Sequence, residues 1–142
     1  MNLVQITQEA IVNITLWIAQ FLLAGIFAYS GAFKSVKSKA ALVELGQTGL
    51  KYYTPAFIRF IAACELLAVI GLVVPWWTGI APMLTPTAAL GIAVIMVGAA
   101  FSHARLARED PQHRTREFAA VSTNVFILGT CVFVAWGRLR GL

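Results

Sequence analysis

One acid stands alone inside an apolar run. Glu65 lies in the middle of FIRFIAACELLAVIGLVV, Phe57 to Val74. A carboxylate at membrane depth costs roughly 2.5–3.5 kcal/mol on insertion scales unless it is protonated or paired. Its candidate partners are Tyr29, Ser30 and Lys34 from the first apolar run, His103 from the end of the third and Asn124 from the fourth. At a rise of ~1.5 Å per residue, Glu65 sits about 12 Å below the start of its helix and Asn124 roughly 9 Å below the same end of the last one. Tyr29 and Ser30 fall within about 8 Å of Lys34, and His103 ends its run on that side. These residues support a hydrogen-bonded network that locks the helices, or a ligand or proton site built from the same groups. The partner decides the chemistry. With Lys34 in reach, Glu65 is expected to be ionised and structural. With Tyr29 and Asn124 alone, it is expected to be protonated and able to donate to a carbonyl such as that of a quinone. The opposite half of the bundle offers little beyond Thr15 and Gln20.

Other chemistry finds no support. His103 and His113 lack metal-ligand companions at workable spacing. Cys64 and Cys131 form no CxxC pair, and their depths differ by about 10 Å, beyond the ~7 Å Cα separation a disulfide tolerates. No phosphate-binding glycine loop, nucleophile elbow or CxxCH occurs. No catalytic residue and no metal site is assigned, and no cofactor of the chain's own is expected.

The elements that position these groups follow from composition. Of 142 residues, 59% are hydrophobic and 12% charged, against about 45–50% and 25% in soluble domains. Four apolar runs, about 11–33, 57–74, 87–102 and 118–136, predict an all-α integral membrane protein, an antiparallel four-helix bundle in one domain, 1–142. The net charge of +5 lies on the flanks of these runs, which points to lipid headgroups and excludes nucleic acid as a partner. The start, MNLVQITQEA, lacks the basic residues of a cleaved signal peptide. Ala24, Ala28 and Ala32 form a small-residue ridge expected to pack inside the bundle.

In the first linker, Ala40 to Leu45 suggests a short interfacial helix broken by Gly46 and Gly49. Pro75 is expected to end the second span. The uncharged PWWTGIAPMLTP that follows places Trp76 and Trp77 as interfacial anchors. His103 marks the end of the third span, and Pro111 breaks the second linker, Ala104 to Glu117. Basic residues favour the linker side, so the linkers are expected to be cytoplasmic and both termini outside, with Arg138 and Arg140 as outer anchors against the trend.

The order of these features resembles the DoxX-like family. LLAGIFAYSGAFK, Leu22 to Lys34, is similar to its opening helix. Glu65 followed by GLVVP, Gly71 to Pro75, is similar to its Glu-containing helix. LTPTAALGIAVIMVGAAFSH, Leu84 to His103, is similar to its small-residue helix ending in His, and WGR at Trp136 to Arg138 fits its close. The resemblance implies a four-helix membrane bundle. Its members are associated with quinone-linked sulfur oxidation, membrane oxidoreductase complexes and, in animals, receptor assembly. Lys34, Glu65 and His103 carry over as the matching polar positions.

The reading that results is a multi-pass protein of the inner (plasma) membrane. It is expected to act as an accessory or assembly subunit, with other membrane subunits or copies of itself as partners. A lipid-like or quinone-like ligand is expected near Glu65. The alternative is a quinone-linked subunit of an oxidoreductase. A small multidrug exporter fits less well, because such exporters carry their buried Glu in the first span.

Overall fold

A computed structural model describes residues 2–142. Five α-helices follow in order: α1 Leu3–Val36, α2 Lys39–Glu44, α3 Pro55–Thr78, α4 Leu84–Glu109 and α5 Arg114–Leu139. Short 3-10 turns at Thr48–Tyr52 and Pro111–His113 complete the chain, and no strand occurs among the described residues. α1, α3, α4 and α5 are long and apolar enough to cross a membrane. At 34, 24, 26 and 26 residues, each exceeds the ~20 residues that a bilayer core needs. The all-α membrane bundle expected from the sequence is the architecture found.

Local chemistry sets most of the ends. Asn2 and Gln5 form a reciprocal capping box on α1, satisfying two otherwise free backbone donors. Thr54 caps α3 through the Phe57 N–H, with Pro55 in its first turn. Gly79, at φ +72°, closes the same helix in the left-handed region. Gly46, at φ +101°, lets the chain turn away from α2.

Several boundaries differ from expectation, and α1 already begins at Leu3 where the first span was expected from about residue 11. α3 runs through Pro75 to Thr78. A proline in the last turn of a transmembrane helix removes one hydrogen bond, which neighbouring helices can replace. α4 passes His103 by six residues and ends only at Glu109, where Asp110 and Pro111 stop it. The second linker is consequently mostly helical. Its charged residues extend α4 and α5 beyond the apolar core, where water replaces lipid as the solvent.

Around the bundle, α1 packs on α3, α3 on α4 and α4 on α5, and α5 closes on α1 along a shorter contact. Leu16, Leu23, Phe27, Leu72, Ile92 and Val134 form the buried centre. The outward faces are also apolar, with Ile18, Leu22, Leu67, Val94 and Phe126 exposed, as a lipid solvent requires. The ridge Ala24, Ala28 and Ala32 does not pack as a unit. Ala24 is buried, Ala28 half-buried and Ala32 exposed. The tight approach falls instead at Gly31, where a Cβ would stand 2.9 Å from Leu66 Cγ and 3.2 Å from the Ala62 carbonyl. The helical phase set by Phe27 and Lys34 places Gly31 on the α3-facing stripe.

On the linker side, Leu42, Leu50 and Ile58 form a second small cluster with Phe33 and Tyr53 against it. It fastens α2 and the 3-10 turn over the end of the bundle.

Candidate functional site

Lys34 is the last basic residue of α1 and buried. Its Nζ donates to Glu65 Oε1 at 2.6 Å and to Ser30 Oγ at 2.8 Å. Glu65 is fully buried, and the pair is an ion pair between α1 and α3. Three sequence candidates, Ser30, Lys34 and Glu65, thus meet directly. Arg59 donates to the Lys34 backbone carbonyl, which anchors the end of α1 to α3.

The ion pair forms part of the wall of a cavity of about 570 Å³. All four long helices contribute: Phe27, Ser30 and Lys34 from α1, Ile61, Cys64 and Glu65 from α3, Ala99 and His103 from α4, and Asn124 and Ile127 from α5. The turn carrying Gly49, Leu50 and Tyr53 roofs it. Ile26, Phe60 and Val94 border the cavity and are exposed on the bundle's outer surface. Glu65 Oε2 is buried and has no hydrogen-bond partner. An orphaned buried carboxylate oxygen is costly, and in a native site it points to a missing partner.

His103 does not reach Glu65. Its Nδ1 meets Glu117 Oε2 at 2.6 Å, and Thr48 Oγ1 donates to Glu117 Oε1 at 2.9 Å. Gly49 lies against the other ring nitrogen, where a Cβ would come within 2.9 Å of Nε2. Tyr53 Oη pairs with Ser102 Oγ at 2.8 Å, and Tyr52 Oη donates to Glu109 Oε2 at 2.5 Å. The roof is therefore tied to α4 and α5 by side chains on both of its flanks.

Asn124 lies half-buried in the cavity wall and makes no hydrogen bond with Glu65. Tyr29 falls outside the group. It is 64% exposed and packs, with its ring tilted, against Phe33 at a centroid distance of 4.3 Å. One residue before Ser30, it is turned about 100° away on a helix of 3.6 residues per turn. Depth alone placed it correctly, but its azimuth points outward.

Glu117 and Thr48 were not among the sequence candidates. Glu117 is nearly fully buried, although it sits in a stretch that reads as solvated charge. It stands three residues from Arg114 and one from Arg116, and only the packing of α5 on α4 turns it inward.

The opposite half holds a second polar cluster. Arg138 is 1% exposed. Its Nε donates to Gln20 Oε1 at 2.6 Å, and its Nη1 to Asn13 Oδ1 at 2.8 Å and to the Leu142 carbonyl. Trp17 and Trp76 lie over its guanidinium at 5.0 and 4.6 Å. Gln20 also donates to the Leu72 carbonyl, beside the Gly71 carbonyl that Pro75 cannot serve. Arg138 is thus packed into the bundle and is not the outer anchor expected, while Trp76 is half-buried against it and Trp77 stays exposed. Thr15 bonds only its own helix, through the Ile11 carbonyl.

Fold and site together define a polytopic four-helix membrane protein with a buried ion pair in the wall of an apolar cavity. The chain matches the model of the DoxX-like family over residues 18–134 and belongs to that family. No curated protein and no solved structure matches it.

Proposed function

We propose that the protein is a non-enzymatic accessory or assembly subunit of a membrane complex that holds a lipid-like molecule in the cavity beside Lys34 and Glu65. The observation that carries this reading is the cavity itself. A volume of about 570 Å³ falls within the ~300–1,000 Å³ of small-molecule sites. Its walls are apolar apart from a few convergent polar groups, and its border meets the lipid-facing surface. An amphipathic molecule drawn from the bilayer suits that combination. A quinone-linked role in an oxidoreductase is the second reading. In its favour, Lys34 Nζ has three N–H donors and gives two to Ser30 and Glu65, which leaves one for a ring carbonyl. Electrons would then come from a partner subunit. No catalytic step is assigned to this chain.

The membrane is proposed to be the inner (plasma) membrane, with both charged linkers cytoplasmic and both termini outside. The excess of Lys and Arg on the linkers supports this orientation. Labelling of intact cells carrying Gln112→Cys with an impermeant thiol reagent is expected to fail until the cells are opened. Labelling before opening would reverse the orientation.

The ligand reading is tested by purifying the protein in mild detergent and extracting bound lipids and quinones for mass spectrometry. A stoichiometric amphiphile is expected from the wild type and lost from Ala99→Phe, which fills the cavity. A wild type that carries no more amphiphile than Ala99→Phe would end this reading. A quinone in place of a lipid would favour the second.

A further inference from the structure

We infer that the cavity selects a neutral amphiphile whose head is a hydroxyl group, an alcohol or phenol, over one headed by an anion or by acceptors alone. This deepens the proposed ligand-binding role and rests on it. Three observations carry it together.

The first is the orphaned acceptor. Glu65 lines the cavity, and its Oε2 is buried without a partner while Oε1 is held by Lys34. A carboxylate oxygen can be satisfied only by a donor. A head with only carbonyl, ether or ester oxygens would leave Oε2 as it stands, whereas a hydroxyl supplies the missing O–H.

The second is the spare donor capacity beside it. After Ser30 and Glu65, one N–H of Lys34 has no partner, and the amide of Asn124 lies in the same wall. A hydroxyl oxygen accepts as its hydrogen donates, so one head group can bridge Glu65 Oε2 and an adjacent donor. An ammonium head could satisfy the carboxylate but not accept from these donors.

The third is the charge balance. The charged pair of the cavity wall is matched, Lys34 with Glu65, and His103 is hydrogen-bonded to the buried Glu117 behind it. An anionic or cationic head would bring an uncompensated charge into a site already neutral by pairing, at a large desolvation penalty. The lipid-facing border at Ile26, Phe60 and Val94 leaves room for an alkyl or polycyclic body to follow the head in from the bilayer. A free alcohol, a phenol or a glyceride shares this head chemistry.

The test uses full-length protein in nanodiscs of neutral phosphatidylcholine. Hexadecanol carrying a mid-chain diazirine serves as the photoprobe, with labelled residues mapped by mass spectrometry. Unlabelled hexadecanol, its methyl ether and hexadecanoate compete, and a long-chain phenol and a diacylglycerol are added to separate the sources. Labelling is expected at cavity residues. Hexadecanol should compete at least 10-fold better than the methyl ether, because a hydrogen bond to a charged group is worth about 1.5–3 kcal/mol, a factor of roughly 10–150. Hexadecanoate should compete less well than hexadecanol. In Glu65→Gln the advantage of the alcohol over the ether should shrink. Equal competition by alcohol and ether, or stronger competition by the carboxylate, in the wild type would overturn the inference even if Glu65→Gln fails to fold. Absence of any cavity labelling would instead overturn the ligand-binding role on which it rests.

Discussion

Removing the charge of Glu65 is the most direct perturbation of the bundle. Glu65→Gln keeps the shape of the side chain but leaves the Lys34 ammonium without its counter-charge, among neutral oxygens only, Ser30 Oγ included. The two side chains are 10% and 0% exposed, so water cannot replace the lost carboxylate. Breaking a buried pair from one side typically costs about 3–5 kcal/mol. An independent bound comes from letting the survivor neutralise. At pH 7 that costs about 4.6 kcal/mol for a lysine and about 3.7 kcal/mol for a glutamate, at 1.36 kcal/mol per unit from their ordinary pKa values. The Glu65→Gln penalty is therefore expected at about 3–4.6 kcal/mol, and that of Lys34→Met somewhat lower. Replacing both, as Lys34→Met with Glu65→Leu, removes the desolvation penalty together with the attraction, and should return stability to within about 1 kcal/mol of the wild type or raise it. Equilibrium unfolding in mixed micelles, with dodecyl sulfate as denaturant and helicity as the signal, measures the wild type, Lys34→Met, Glu65→Leu and their double as one cycle, with Glu65→Gln beside it. A Glu65→Gln protein as stable as the wild type would refute the argument, and so would single variants whose effects simply add in the double.

Further outcomes follow from the same contacts. Gly31→Leu should lower stability by roughly 1–3 kcal/mol through overpacking against Leu66 and Ala62, while Ala32→Leu, on the exposed side, should stay within about 0.5 kcal/mol; equal effects in the same unfolding assay would misplace the α1–α3 contact. Glu117→Ala removes the shared partner of His103 and Thr48, so amides of the roof over 48–53 should exchange faster with deuterium while those of the α3 core keep their protection; an unchanged roof would show that the apolar cluster alone holds it. The hydrogen bond from His113 holds the exposed Asp110 carboxyl below its ordinary value of 3.8. A depressed folded pKa means that this contact's contribution is present above 3.8 and lost as the pH falls through the lower folded value. The Asp110 carboxyl carbon should therefore titrate below 3.8 by NMR, and His113→Ala should move it upward; no movement would remove His113 as the cause.

The sequence by itself determined that this is a four-helix membrane protein, because four apolar runs close to the length that spans a bilayer admit no other economical burial. It also singled out Glu65 and Lys34, since a charge inside such a run must find a partner and few were within its depth. Rise per residue gives depth along a helix, and depth was legible for Ser30, Lys34, Glu65 and Asn124. Azimuth was not. Tyr29 shares the depth of Ser30 yet faces outward, and the Ala24, Ala28 and Ala32 ridge gave way to Gly31, because which stripe of α1 meets α3 depends on how every helix of the ring is rotated. The same limit hid Glu117, which lies in a charged stretch that local composition marks as solvated. It hid the Arg138 cluster too, which joins Asn13 and Gln20 in α1 to residues at the far end of the chain. Contacts separated by more than a hundred residues, and the cavity left between the four helices, were decided only when the tertiary packing fixed those rotations.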